Sequence, residues 1–349
     1  MRRAWLLAEL GGVLERCARD RDRLLEVLAL DDDRLLAALA GSRVRQLRER
    51  YERFDVHEWP RAAGVDAVCR HAGGYPPALS GPAAPRMLEV AGGLDRLGAL
   101  TRPPVVAILG ANAPSDYGVE LARSLARGLT AAGVSVVACL RDGVGAAAHA
   151  GVLEAGGGGV AVLAGGLDVA VPTRRRALYA RIKEAGCAIS ELPLGCRGRR
   201  WGSLASERVA VELASVTVVV EARESAEDLF GARIAQARGR TLAATPGRVS
   251  SPLSRGTHAL LMDGARLVRG ALDVFELLAV APPPRPGDRM LAPRLHATLE
   301  RVRAGADTPE KLGRSGEDPW ELLSELSELE LRGLLVRGDG GRYLSSGPC

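Results

Sequence analysis

The sequence predicts an α/β protein: an extended, Rossmann-like doubly wound parallel sheet, with a small helical domain before it and a winged-helix domain after it. Three observations carry this. Between residues 105 and 244 six short apolar runs alternate with stretches of helical period. The first 62 residues hold no such run and space their leucines three and four apart. After a proline-rich stretch at 281–289, helix-like segments lead into a two-stranded hairpin pattern.

The front domain, residues 1–62, is helical and resembles SAM or helix-hairpin-helix modules. Leu6, Leu7, Leu10 and Leu14 share a face, as do Leu24, Leu25 and Leu28, then Leu35, Leu36 and Leu39. Asp31-Asp32-Asp33 offers the last of these helices its N-cap. Glu9 and Glu15 break the apolar part of the opening MRRAWLLAELGGVLERC, which reads as an amphipathic helix and not as a signal peptide. A loop with Gly73, Gly74, Pro76, Pro77, Gly81, Pro82 and Pro85 follows.

The main domain, residues 63–280, contains the runs VVAIL (105–109), VSVVA (134–138), GVAVL (159–163), CAIS (187–190), VTVVV (216–220) and TLAA (241–244). Helices are expected near 118–132, 145–155, 173–185, 204–214, 226–238 and 254–262. Near-continuous apolar strands between helices indicate a parallel sheet covered on both faces. Ligands of such sheets lie beyond the carboxyl ends of the strands. Gly110, Gly143, Gly165-Gly166, Glu191, Glu221 and Pro246-Gly247 all fall there. The segment 281–289 is an extended linker. Residues 290–349 then form three helices and a wing, with its turn at Asp339-Gly340-Gly341.

Composition narrows the function classes. A chain of 349 residues with 47% hydrophobic and 26% charged residues suits two or three soluble domains, and a cytoplasmic location is expected. No apolar stretch reaches the roughly 18 residues of a membrane span. Cys17, Cys69, Cys139, Cys187, Cys196 and Cys349 are scattered without a C-x-x-C pair, so neither metal nor disulfide is expected. The net charge of +5 favours an anionic partner only modestly. Lys183 and Lys311 are the two lysines among 47 basic residues, an arginine bias that a GC-rich genome produces by itself.

No P-loop, H-E-x-x-H or Ser-His-Asp arrangement is present, and no catalytic residue or cofactor is expected. His149 reads as structural; His258, in SRGTHALL, is placed to meet a ligand without being catalytic. Glu191 and Glu221 end strands, where carboxylates either do acid–base or ribose-binding work or cap helices and pair with arginines. Glu227-Asp228 is expected to open the helix after the fifth strand. Basic residues concentrate at Arg174-Arg175-Arg176 and in a glycine-rich loop with Arg197, Arg199, Arg200, Arg208 and Trp201. That loop is expected to grip a phosphate backbone and stack one base. The C-terminal helix DPWELLSELSELELRG carries Glu321, Glu325, Glu328 and Glu330, which suits protein contact better than reading a duplex.

The stretches GGYPPALSGPAAPRMLEVAGGLDRL, VVAILGANAPSDYG, AVLAGGLDVAVPTRRRAL, AISELPLG and TPGRVSSPLSRGTHALLMDGARLV occur in the order found in the DNA-processing protein A (DprA, or Smf) family. The resemblance spans residues 65 to 278. It implies a non-catalytic homodimer that binds single-stranded DNA during natural transformation and helps load a RecA-type recombinase. Together with the basic loop, it gives an expected DNA site at Gly110, Asn112, Gly165, Arg199, Arg200, Trp201, Arg208, Pro246, Gly247, Ser254, Arg255 and Gly256. Several positions depart from the family. Its first turn, Gly-Ser-Arg, is Gly110-Ala111-Asn112 here, without the arginine that grips phosphate. Its second loop, Gly-Leu-Ala-x-Gly-Ile-Asp, has become residues 139–145 without the aspartate. Arg-Asn-Arg is Ser206-Glu207-Arg208, and Ser-Gly-Ser is Ala226-Glu227-Asp228. Binding is therefore expected to be weaker or displaced, resting on Arg199, Arg200 and Arg208. Two rivals remain: a nucleotide sensor or hydrolase on the same sheet, although the Pro-Gly-Gly-x-Gly-Thr signature of nucleoside-monophosphate phosphoribohydrolases is absent, and a paralogue that has lost DNA binding.

Overall fold

The computed structural model describes the chain except residues 56, 58, 60–61, 82–83, 103, 169–174, 280–290, 314–317, 332–333, 339–340 and 346–349. The expected linker, Arg174 and most of the wing turn lie outside the described residues. The chain forms two compact units, Met1–Pro282 and Pro283–Cys349.

Five helices open the first unit: α1 (Arg2–Glu9), α2 (Gly11–Cys17), α3 (Arg21–Ala29), α4 (Asp32–Leu39) and α5 (Val44–Glu52). Asp31 caps α4 by accepting from the Arg34 amide at 2.8 Å. Their leucines do not close a separate core. Leu6, Leu10, Leu14, Leu24 and Leu35 pack in one cluster with Val105, Leu192, Trp201 and Leu204 of the sheet layer.

The sheet layer runs β1 (Val65–Cys69), β2 (Met87–Ala91), α6 (Leu94–Leu100), β3 (Val105–Gly110), α7 (Asp116–Ala131), β4 (Ser135–Cys139), α8 (Val144–Glu154), β5 (Val160–Val162), α9 (Arg176–Ala185), β6 (Cys187–Ser190), α10 (Arg200–Leu213), β7 (Val216–Val220), α11 (Phe230–Ala237), β8 (Thr241–Ala244), α12 (Arg255–Met262), β9 (Arg266–Leu267) and α13 (Ala271–Leu278). Among the described residues nine strands form one sheet, in the order β1-β2-β6-β5-β4-β3-β7-β8-β9. All six expected strands are present and mutually parallel. They are buried on both faces: Val105, Ala107 and Leu109 join the cluster under α10, and Val106 and Ile108 the one under α7 and α8.

The structure adds three strands. β2 pairs antiparallel with β6 and β1 antiparallel with β2, so the sheet is mixed at one edge. β2 reads MLEVA and is buried throughout with a glutamate inside it, so its apolar pattern is broken. β9 is two residues long and has no period to detect.

The second unit holds α14 (Pro293–Arg303), α15 (Pro309–Leu312), α16 (Pro319–Leu331) and the antiparallel pair β10 (Leu335–Arg337) and β11 (Tyr343–Ser345). Leu295, Leu299, Leu322, Leu326, Leu329, Leu335 and Tyr343 form its core. Three helices and a hairpin match the expected winged-helix order. Among the described residues no helix is long and apolar enough to cross a membrane.

Candidate nucleic-acid interface

The strand order reverses between β3 and β7, and the crevice beyond their carboxyl ends is where such sheets take ligands. A cleft of about 850 Å³ opens there, lined by Ser115, Asp116, Tyr117 and Glu221 on one side and by Pro246–Arg248, Ser250, Ser251 and Ser254 on the other. The first turn is tight because Gly110 passes directly over β7; a Cβ there would fall 1.9 Å from the Val220 carbonyl oxygen. Ala111 N–H donates to the Glu221 carbonyl at 2.8 Å, and Val144 N–H to the Ala111 carbonyl at 3.1 Å. Asn112 stands exposed beyond them.

Glu221 dominates this wall. Its backbone is left-handed, with φ of 47°, a conformation that costs a non-glycine residue on the order of 1–3 kcal/mol. Its carboxylate accepts from the Ser115 amide at 2.7 Å and the Ser115 hydroxyl at 2.6 Å. Ser115 is also the N-cap of α7, accepting from Gly118 N–H. Tyr117 Oη donates to the Pro246 carbonyl at 2.9 Å, which ties the two walls together. His258 Nε2 lies 3.2 Å from the Gly247 carbonyl and steadies that turn without reaching into the cleft. Gly247 and Gly256 allow close approach, the first against Ser254 and the second against the Ala222 and Arg223 carbonyls. Gly165 likewise lies against the backbone of Cys196 and Gly198.

The arginine loop after β6 differs from expectation. α10 begins at Arg200, so Arg200 and Trp201 belong to a helix and not to a glycine-rich loop. Trp201 is 1% exposed and packs in the core with the front helices, its backbone N–H donating to Glu15 at 3.2 Å. It cannot stack a base. Arg208, 2% exposed, is paired with Glu191 at 2.5 Å inside the protein and cannot reach a phosphate. These two expectations are corrected by burial: the helical period of α10 turns both side chains inward. Arg200 is exposed but pairs with Glu227 at 2.9 Å, and Arg21 approaches the same carboxylate at 3.5 Å. The acids missing from the local sequence are thus supplied from α2 and from the loop after β7.

The same internal neutralisation recurs nearby. Arg141 meets Glu207 at 2.6 Å, and Arg175 meets Asp142 at 2.8 Å. Burial pushes the Glu207 carboxyl up, against the opposing pull of Arg141. Glu227 and Asp228 precede α11, which starts at Phe230, and do not open that helix; Asp228 accepts instead from the Arg223 amide at 2.9 Å. Glu191 and Glu221 resolve toward arginine pairing and helix capping. His149 is buried against the Ala138 carbonyl at 3.1 Å, and burial holds its imidazole down at about 4. Burial pushes the Cys139 thiol up to about 11. Among the described residues no cluster of three His, Cys, Asp or Glu is placed to hold a metal ion.

Several arginines remain exposed along the sheet's carboxyl edge. Arg197 and Arg199 follow β6, Arg223 follows β7, and Arg248 and Arg255 follow β8; all five are exposed. Among the described residues none of them is paired with a carboxylate. Five strand spacings of about 4.8 Å separate β6 from β8, so the two groups stand roughly 24 Å apart along the edge. Arg248 was missed by the sequence reading although it directly follows Pro246-Gly247. Its signal was continuity with that turn.

Comparison with known proteins fits this geometry. The model of a family described as DNA recombination-mediator protein A matches residues 66–279. A Mycobacterium tuberculosis protein described as a DNA processing protein DprA is 35% identical over 300 residues, covering 82% of this chain and 74% of that one. The X-ray structure of DNA processing protein A from Streptococcus pneumoniae superposes with a TM-score of 0.61 at 27% identity, over 71% of this chain and 87% of that chain. The fold is shared with DNA processing protein A of Helicobacter pylori, with a TM-score of 0.55 at 24% identity over 62% and 95% of the two chains. With a family model spanning most of the sheet layer and this identity over most of its length, the chain belongs to the DNA recombination-mediator protein A family.

Proposed function

We propose that this family member binds single-stranded DNA along the carboxyl edge of its sheet, without catalysing a reaction, and presents it in the cytoplasm to a RecA-type recombinase. The observation that carries the reading is the pair of exposed arginine groups, Arg197 with Arg199 and Arg248 with Arg255, on one edge of one sheet. Exposed arginines contact phosphates without reading base sequence. The relative from Helicobacter pylori, whose structure is described in terms of its single-stranded DNA binding mode, has the same fold. The family's description as a recombination mediator supports a recombinase as the partner.

Self-association is part of the proposal. Among the described residues β9 is an open sheet edge, and beside it Met262, Leu267 and Leu272 are 87%, 51% and 55% exposed. An unpaired strand edge with apolar neighbours suits a second copy of the chain. The test is competition at low salt: a labelled oligo-dT bound to the full chain is challenged with unlabelled single strand or duplex of equal length. Preferential displacement by single strand supports the reading. Equal displacement by duplex, or no binding, contradicts it.

A further inference from the structure

The crevice holds its own anion. The Glu221 carboxylate takes the Ser115 amide and hydroxyl at 2.7 and 2.6 Å, at the N-terminus of a 16-residue helix where a phosphate would otherwise find donors and a favourable dipole. It lies against Gly118, where a Cβ would come within 2.2 Å of Oε2. Capping alone does not require it, because the Ser115 hydroxyl already accepts from Gly118 N–H. At 4% exposure its charge is poorly screened by salt. Deeper in the same cleft, Ser254 is 1% exposed and its hydroxyl has no hydrogen-bond partner. That inner wall therefore offers an uncharged group, and the lining cation, Arg248, is exposed at the outside.

We propose that Glu221 is a specificity-determining residue that excludes phosphate from the centre of the crevice and leaves the cleft to an uncharged polar group. DNA phosphates are thereby kept to the exposed arginines outside the cleft's inner wall. The inference rests on the single-strand reading and deepens it.

The test compares the full chain with Glu221→Gln, which keeps the side chain's shape and its capacity to accept from Ser115. Glu224→Gln removes an exposed carboxylate three residues further on and measures the general effect of losing one negative charge. Glu221→Gly suits the left-handed backbone and keeps the test alive if the glutamine variant fails to fold. With labelled oligo-dT at low salt, Glu221→Gln or Glu221→Gly should bind about five-fold more tightly than the parent, with a log–log salt slope steeper by about 0.7, the equivalent of one added phosphate contact on a single strand. Glu224→Gln should change affinity less than about two-fold, as expected of one screened surface charge. Affinity no greater than that of Glu224→Gln overturns the inference. If neither parent nor variant binds the oligonucleotide, the single-strand reading fails and inorganic pyrophosphate decides the role of Glu221 by calorimetry. Binding by the variant alone sustains the role, and binding by neither protein overturns it.

Discussion

The paired arginines at the sheet's carboxyl edge and the exposed ones are the same residue type put to opposite effect. At the centre, Arg141 and Arg175 meet Glu207 and Asp142, and the amide at the start of α7 meets Glu221. Arg197, Arg199, Arg248 and Arg255 face solvent instead, as does Arg223 between them. An arginine bound to an internal carboxylate contributes packing and orientation; one without a partner contributes field and phosphate affinity. The basic charge of this chain therefore becomes informative only when each guanidinium is assigned its neighbour.

The largest effect that can break this comparison lies at the buried pair. Removing one partner of a desolvated ion pair typically costs 3–5 kcal/mol, about ten times the effect of a typical exposed substitution. Arg208→Ala should therefore lower the urea midpoint sharply, while Arg199→Ala leaves it nearly unchanged. If Arg208→Ala keeps its stability and loses DNA affinity instead, the assignment of Arg208 to the interior is wrong.

A smaller effect sharpens the centre. Asn112 is exposed in the turn that follows β3. Asn112→Arg adds a cation without burying it, and should steepen the salt slope of oligonucleotide binding by about 0.7. No change in slope would mean that the turn does not face the DNA path.

A further effect concerns stability alone. Glu89, inside β2, accepts from Leu194 N–H at 3.3 Å and Trp59 Nε1–H at 3.2 Å, yet burial outweighs these bonds and pushes its carboxyl up to about 7. An unfolded glutamate titrates near 4.3, roughly, so the native chain holds an extra proton between the two values. Its contribution to stability is complete below about pH 4.3 and is lost as pH rises through about 7. Glu89→Gln should flatten that part of the stability profile in urea unfolding measured across pH. An unchanged profile would place the titration elsewhere.

How far the sequence disclosed this molecule depends on the kind of signal. The six parallel strands were legible because burial on both faces leaves uninterrupted runs such as VTVVV. β2 was hidden by Glu89, and β9 by its length. The crevice was legible as a place, since its loops all follow strand ends. The roles within it were not: the partners of Arg208, Arg141 and Arg200 lie 17, 66 and 27 positions away. No local charge count contains those separations. Trp201 was misassigned because α10 begins four residues earlier than its apolar period suggested.

The central claim is that the exposed arginines of the sheet edge, and not the helix terminus that Glu221 occupies, hold the DNA. It is tested most directly by measuring oligo-dT affinity against salt for the full chain and for the variant with Arg197, Arg199, Arg248 and Arg255 all changed to alanine. With four phosphate contacts removed at about 0.7 each, the log–log slope should fall by about 2.8 while the urea midpoint stays within the range of surface substitutions. An unchanged slope in a folded quadruple variant would contradict the account.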